Sequence, residues 1–124
     1  MEQLVYGKDG QLSFKTKEDL YIAIGFLASS DSVSRIYFEE NQKSGARGNE
    51  WRIDFYSKPE NMPKSIMDSI TFSPSNNLLR LNNKEFVQFL QTCGFNYGNS
   101  QNIENIKKTI PSEYMNDFNI GFNS

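Results

Sequence analysis

The sequence predicts an α+β fold, with an antiparallel sheet built on hairpins and helices packed on one sheet face in a single domain over residues 1–124. Three observations predict it. Trp51, Ile53 and Phe55 alternate with Arg52, Asp54 and Tyr56, the period-two pattern of a strand with one buried face. Ile36 and Phe38 alternate in the same way with Arg35, Tyr37 and Glu39, so the two runs pair antiparallel. Apolar residues recur at helical spacing in two later and earlier stretches, Leu20 to Leu27 and Phe86 to Cys93. Strands and helices come in groups and not in alternating βαβ units, which favours a mixed α+β arrangement.

Taken in order, Leu4 to Tyr6 and Leu12 to Phe14 read as a hairpin around the turn residues Lys8, Asp9 and Gly10. Thr16, with Asp19 three residues later, caps a helix over Lys17 to Ala28. Gly25 within that helix costs about 1 kcal/mol relative to alanine and suits close approach of a strand. Ser29 to Ser32 is a polar break. After the central pair of strands, Pro59 and Pro63 end the sheet run, and Pro63 opens a short helix through Ile70. Phe72 to Asn77 reads as a connection, and Leu78, Leu79 and Leu81 as a strand with Arg80 on its other face. Asn82, with Glu85 three residues on, opens a helix that Gly94 stops. Asn96 to Asn102 is a polar loop. A helical stretch over Ile103 to Ile110 stops before Pro111, Ser112 and Glu113 start a terminal helix containing Tyr114, Met115 and Phe118, and Asn119 to Ser124 frays unless Ile120 and Phe122 tie it down.

The central hairpin carries the candidate functional surface. Its apolar face holds Ile36, Phe38, Trp51, Ile53 and Phe55, which makes Trp51 a residue of the fold. The opposite face holds Arg35, Tyr37, Glu39, Arg52, Asp54 and Tyr56, and its mixed charges suit a solvated sheet surface with weak cross-strand pairs. The connection Glu40 to Glu50 is longer than usual for a hairpin, and contains Lys43, Arg47, Gly45 and Gly48. Backbone N–H groups around such glycines, with two cations beside them, can form an anion-binding concavity. The simpler reading is a polar loop whose glycines relieve strain.

Composition excludes several mechanisms. The chain has no histidine, so Ser-His-Asp, Cys-His and His-metal chemistry are unavailable, and its single cysteine, Cys93, cannot form an internal disulfide or a Cys-based zinc site. The place of Cys93 in an apolar helical pattern predicts a buried thiol and a reducing compartment. Thirteen basic and fifteen acidic residues are interleaved, giving a net charge of −2 and no basic block, which disfavours nucleic acid as the partner. No phosphate-loop or dinucleotide motif occurs. The start of the sequence lacks a signal-peptide pattern and no apolar run reaches the ~20 residues of a membrane span, so a soluble cytoplasmic protein with no membrane role is expected. The abundance of Asn, Lys, Ile and Phe is of the kind an A·T-rich bacterial or phage genome encodes.

What survives exclusion is a small non-enzymatic module for protein–protein interaction, such as an inhibitor or immunity-type protein acting on an intracellular bacterial or phage partner. Its expected contacts are Lys43, Arg47, Arg52, Tyr37 and Tyr56, since arginine and tyrosine dominate binding energy at interfaces. No catalytic residue, cofactor or metal ligand is assigned. Two alternatives use the same hairpin. A nucleic-acid or nucleotide-binding module would use the 40–52 loop cations with stacking by Tyr37, Tyr56 or Trp51. A small metal-dependent nuclease or hydrolase would gather Glu39, Glu40, Glu50 and Asp54 on a divalent ion.

Overall fold

The computed structural model describes residues 4–6, 12–29, 34–38, 51–57, 60–73 and 78–123. The architecture is α+β, as the patterning predicts. Strands β1 (Leu4–Tyr6) and β2 (Leu12–Phe14) form an antiparallel hairpin. Helix α1 (Lys17–Ala28) follows, with the Thr16 hydroxyl accepting from the Asp19 backbone N–H at 3.1 Å. A four-stranded antiparallel sheet is then laid down by β3 (Ser34–Tyr37), β4 (Arg52–Phe55), β5 (Thr71–Ser73) and β6 (Leu78–Asn82). Its spatial order is β3-β4-β6-β5. The short helix α2 (Lys64–Met67) connects β4 to β5. Helices α3 (Lys84–Thr92), α4 (Ile103–Lys107) and α5 (Met115–Asn123) complete the chain, with a 3-10 turn at Ser112–Tyr114 leading into α5.

The expected pairing of the central runs holds, with Ile36 opposite Ile53 and Tyr37 opposite Arg52. Ile36, Ile53, Phe55 and Leu81 are buried on the apolar sheet face, and they join Leu12 and Phe14 of the hairpin, Ile24 and Leu27 of α1 and Phe86, Val87 and Leu90 of α3 in one core. Burying each such side chain contributes about 1.5–3 kcal/mol. Tyr6 meets Phe86 edge-on at 5.3 Å between ring centres, which locks the N-terminal hairpin to α3. Trp51 sits on the apolar side as expected, half-buried beside the Phe38 ring at 5.5 Å.

Several elements differ from the sequence reading. Thr71–Ser73 is a strand and not part of a connection, because pairing with β6 satisfies its backbone even though Phe72 is 59% exposed. The polar segment after α3 is tied into the fold, since Ile36 and Gly98 exchange backbone hydrogen bonds at 2.9 and 2.7 Å. The cap of α3 is Asn83, one residue beyond the expected Asn82, which remains in β6. Pro63 caps α2 from outside the helix, and α2 and α4 end sooner than their apolar patterns suggest.

The C-terminal segment does not fray. It continues as α5 to Asn123, packed against α1, and the close approach at Gly25 is by this helix and not by a strand. A Cβ on Gly25 would overlap the carbonyl oxygen of Phe118, and one on Gly121 that of Ile22. The two glycines therefore let the helix backbones touch. Gly94 ends α3 with φ of 91°, in the left-handed region that favours glycine, as its sequence position predicts.

Candidate binding surface

The sheet face opposite the core is built from two rows set by strand register. Arg35, Asp54 and Arg80 lie side by side across β3, β4 and β6, and Tyr37, Arg52 and Asn82 form the adjacent row. Alternation along each strand turns these residues away from the core. Cross-strand pairing then sets the guanidinium groups of Arg52 and Arg80 on the Asp54 carboxylate, with Arg35 at the register position opposite Asp54.

Asp54 is the centre of this face and is only 1% exposed. That departs from the solvated surface expected from sequence. Arg80 donates from Nε to Asp54 Oδ1 at 2.8 Å and from Nη2 to Oδ2 at 3.4 Å, while Arg52 Nε donates to Oδ1 at 3.3 Å. A buried carboxylate is tolerated only where such charge-assisted bonds replace its hydration. Arg80 comes from a strand distant in sequence, so the partner that makes burial possible was not visible in the alternation of the central hairpin.

Tyr37 lies against two cations. The guanidinium carbon of Arg52 stands 4.1 Å from the centre of its ring and that of Arg35 stands 5.4 Å away. Both lie within reach of the electron-rich ring face. Tyr97, from the segment bridged to β3, meets Tyr37 edge-on at 5.7 Å and fixes the ring from a third direction. Tyr56, just beyond β4, is 48% exposed and neighbours Tyr37. Partial desolvation and the neighbouring Tyr37 push its phenol above the ordinary range, with Arg35 acting in the opposite direction.

The fold thus brings together Tyr37, Arg52 and Tyr56, three of the five residues expected from sequence. Lys43 and Arg47, with the rest of the 39–50 connection, lie outside the described residues. Two members of the surface were not singled out as contacts from sequence, Arg35 and Arg80. Their positions in alternating runs place them on the polar side of their strands, but only the β4–β6 pairing shows that Arg80 reaches Asp54. Arg35 Nε is buried and has no hydrogen-bond partner among the described residues.

The described acidic and thiol groups are constrained by their surroundings. Both Asp54 oxygens are engaged by arginine, so using them as metal ligands would break the bonds that compensate their burial. Glu39, Glu40 and Glu50 lie outside the described residues, and among those described no cluster of three or more acidic or cysteine side chains is placed to hold a metal. Cys93 is buried and its thiol is pushed up from 9.0 to about 11, chiefly by desolvation, which removes it as a nucleophile at neutral pH. A cleft of about 480 Å³ adjoins Tyr56 and is lined by Ser29, Ser34, Asn99, Gln101 and Ile103 among others, with no charged side chain among the described residues of its wall. No described helix is long and apolar enough to cross a membrane. Compared with protein-family models, characterised proteins and solved structures, the chain matches none.

Proposed function

We propose that the chain is a small non-enzymatic binding protein that engages a protein partner through the polar face of its sheet, with Tyr37, Arg52 and Tyr56 at the contact. The observation that carries this reading is the joint placement of exposed Tyr56 and of Tyr37 with two guanidiniums over its ring. Tyrosine and arginine are the side chains that most often dominate interface energy, because they offer large area and directional hydrogen bonds at modest entropic cost. Here their geometry is largely set before any partner arrives, which lowers the ordering cost of association. An inhibitor or immunity-type role against a bacterial or phage protein, exercised in the cytoplasm, is the form of this function that best suits the small size and the absence of histidine chemistry.

The same geometry weighs against stacking of nucleic-acid bases. The Tyr37 ring already carries arginine guanidiniums, so a base would have to displace them. The test is co-purification from the native host with and without nuclease treatment, comparing the unaltered chain with Tyr56→Ser and Arg52→Ala. A discrete protein species lost from both variants, with their unfolding transitions retained, supports the reading. Recovery of nucleic acid in its place, or a protein captured equally by all three chains, overturns it.

A further inference from the structure

Arg35 is the member of the polar face whose bonding is incomplete. It lies directly opposite Asp54 in the β3–β4 register, yet both oxygens of that carboxylate are taken by Arg80 and Arg52. Among the described residues Arg35 makes no ion pair, and its buried Nε has no hydrogen-bond acceptor. Its guanidinium stands 5.4 Å from the centre of the Tyr37 ring, a weak contact. A guanidinium whose Nε–H has lost water without gaining an acceptor raises the free energy of the unbound state, and any acceptor that pairs with it recovers that loss.

We propose that Arg35 is a built-in receptor for a carboxylate, and that the partner reaches this face with an aspartate- or glutamate-bearing segment. Resting on the protein-binding reading above, this names the chemistry of the partner. Binding draws the Arg35 side chain from Tyr37, so that Nε and a terminal nitrogen donate in parallel to the two oxygens of the incoming carboxylate. Arg52 keeps its closer place at 4.1 Å from the Tyr37 ring centre, and Arg80 and Arg52 keep Asp54, so the surface reorganises at one side chain. Exposed Tyr56 neighbours both Tyr37 and Arg35, which are close enough to affect its titration. A nucleic-acid backbone is the poorer fit, since phosphate binders spread several cations along the strand, whereas one guanidinium next to a saturated carboxylate suits one anionic group.

The experiment follows the arginine Nε–H signals of the folded, isotope-labelled protein by NMR during titration with an acetylated hexaglutamate peptide. Hexaglutamine and a thymidine hexanucleotide serve as matched controls. The expected result is a saturable shift of the Arg35 signal with hexaglutamate alone. Arg35→Met should weaken peptide affinity at least tenfold while leaving the thermal unfolding midpoint unchanged or higher, because the variant removes a donor that is unsatisfied in the free protein. Arg35→Lys should also lose affinity, since an ammonium cannot form the parallel pair. Absence of a saturable Arg35 shift, a stronger response to the oligonucleotide, full affinity in Arg35→Lys, or a lowered midpoint in Arg35→Met would each overturn the proposal. If these occur while Tyr56→Ser still abolishes capture of a protein partner, the binding reading stands and only the carboxylate assignment fails. If capture is also indifferent to Tyr56→Ser, both fall.

Discussion

Asn83 donates from Nδ2 to the carbonyl oxygen of Tyr6 at 3.0 Å, while its Oδ1 accepts from the Phe86 backbone N–H at the same distance. One buried amide, 3% exposed, therefore caps α3 and ties it to the N-terminal hairpin 77 positions away. Asn83→Ala should lower stability by about 2–3 kcal/mol, the sum of a lost cap and an abandoned carbonyl. Asn83→Ser keeps a capping oxygen but cannot reach Tyr6 with a donor, and should cost about 1 kcal/mol. Equal losses in urea unfolding for the two variants would show that the bond to Tyr6 contributes nothing.

The Asp54 cluster predicts a clear order of effects. Asp54→Ala leaves two arginines on a part-buried face without their shared acceptor, and should destabilise the chain by about 3–5 kcal/mol. Arg80→Ala should cost less, since Arg52 still bonds the carboxylate and Arg80 is the more exposed of the two. Denaturant midpoints for the two single variants decide this, and an Arg80→Ala loss larger than that of Asp54→Ala would contradict it.

Replacing glycine by alanine within a helix ordinarily gains about 1 kcal/mol. At Gly25 and Gly121 the sign should reverse, because the added methyl meets a main-chain carbonyl of the facing helix, which cannot turn aside as a side chain can. Overpacking costs about 1–3 kcal/mol. Each variant should therefore show a lower midpoint in thermal unfolding, and a raised midpoint for either would mean that α1 and α5 separate easily.

Alkaline pH should weaken the fold in a defined window. Burial raises the Cys93 thiol from 9.0 to about 11 and the Tyr6 phenol from 10.0 to about 12. Both groups hold their protons more tightly folded than unfolded, so their contribution is complete below pH 9 and is lost as pH rises towards 12. Urea unfolding measured across pH 8 to 11 should show a flat region followed by a decline, and Cys93→Ala should flatten the earlier part of that decline. At pH 8 about a thousandth of Cys93 is thiolate in the folded chain, so a thiol reagent should label it only on unfolding.

Local patterning alone determined much of this protein. The span of α1 with its Thr16 cap, the apolar face shared by Ile36 and Ile53, the stop at Gly94 and the burial of Cys93 all follow from spacing and from backbone preferences that act within a few residues. The tyrosines and Arg52 of the polar face were legible too, because alternation assigns a side of the strand before the neighbours are known. Tertiary structure decided the rest. Thr71–Ser73 has no strand pattern of its own and becomes one only against β6, the C-terminal helix reaches Asn123 only because Gly121 allows α1 to approach, and Asp54 is buried only because β6 brings Arg80 beside it. Each of these depends on groups far apart in the chain satisfying one another's hydrogen bonds or filling one another's space, and such complementarity leaves no periodic trace in either segment.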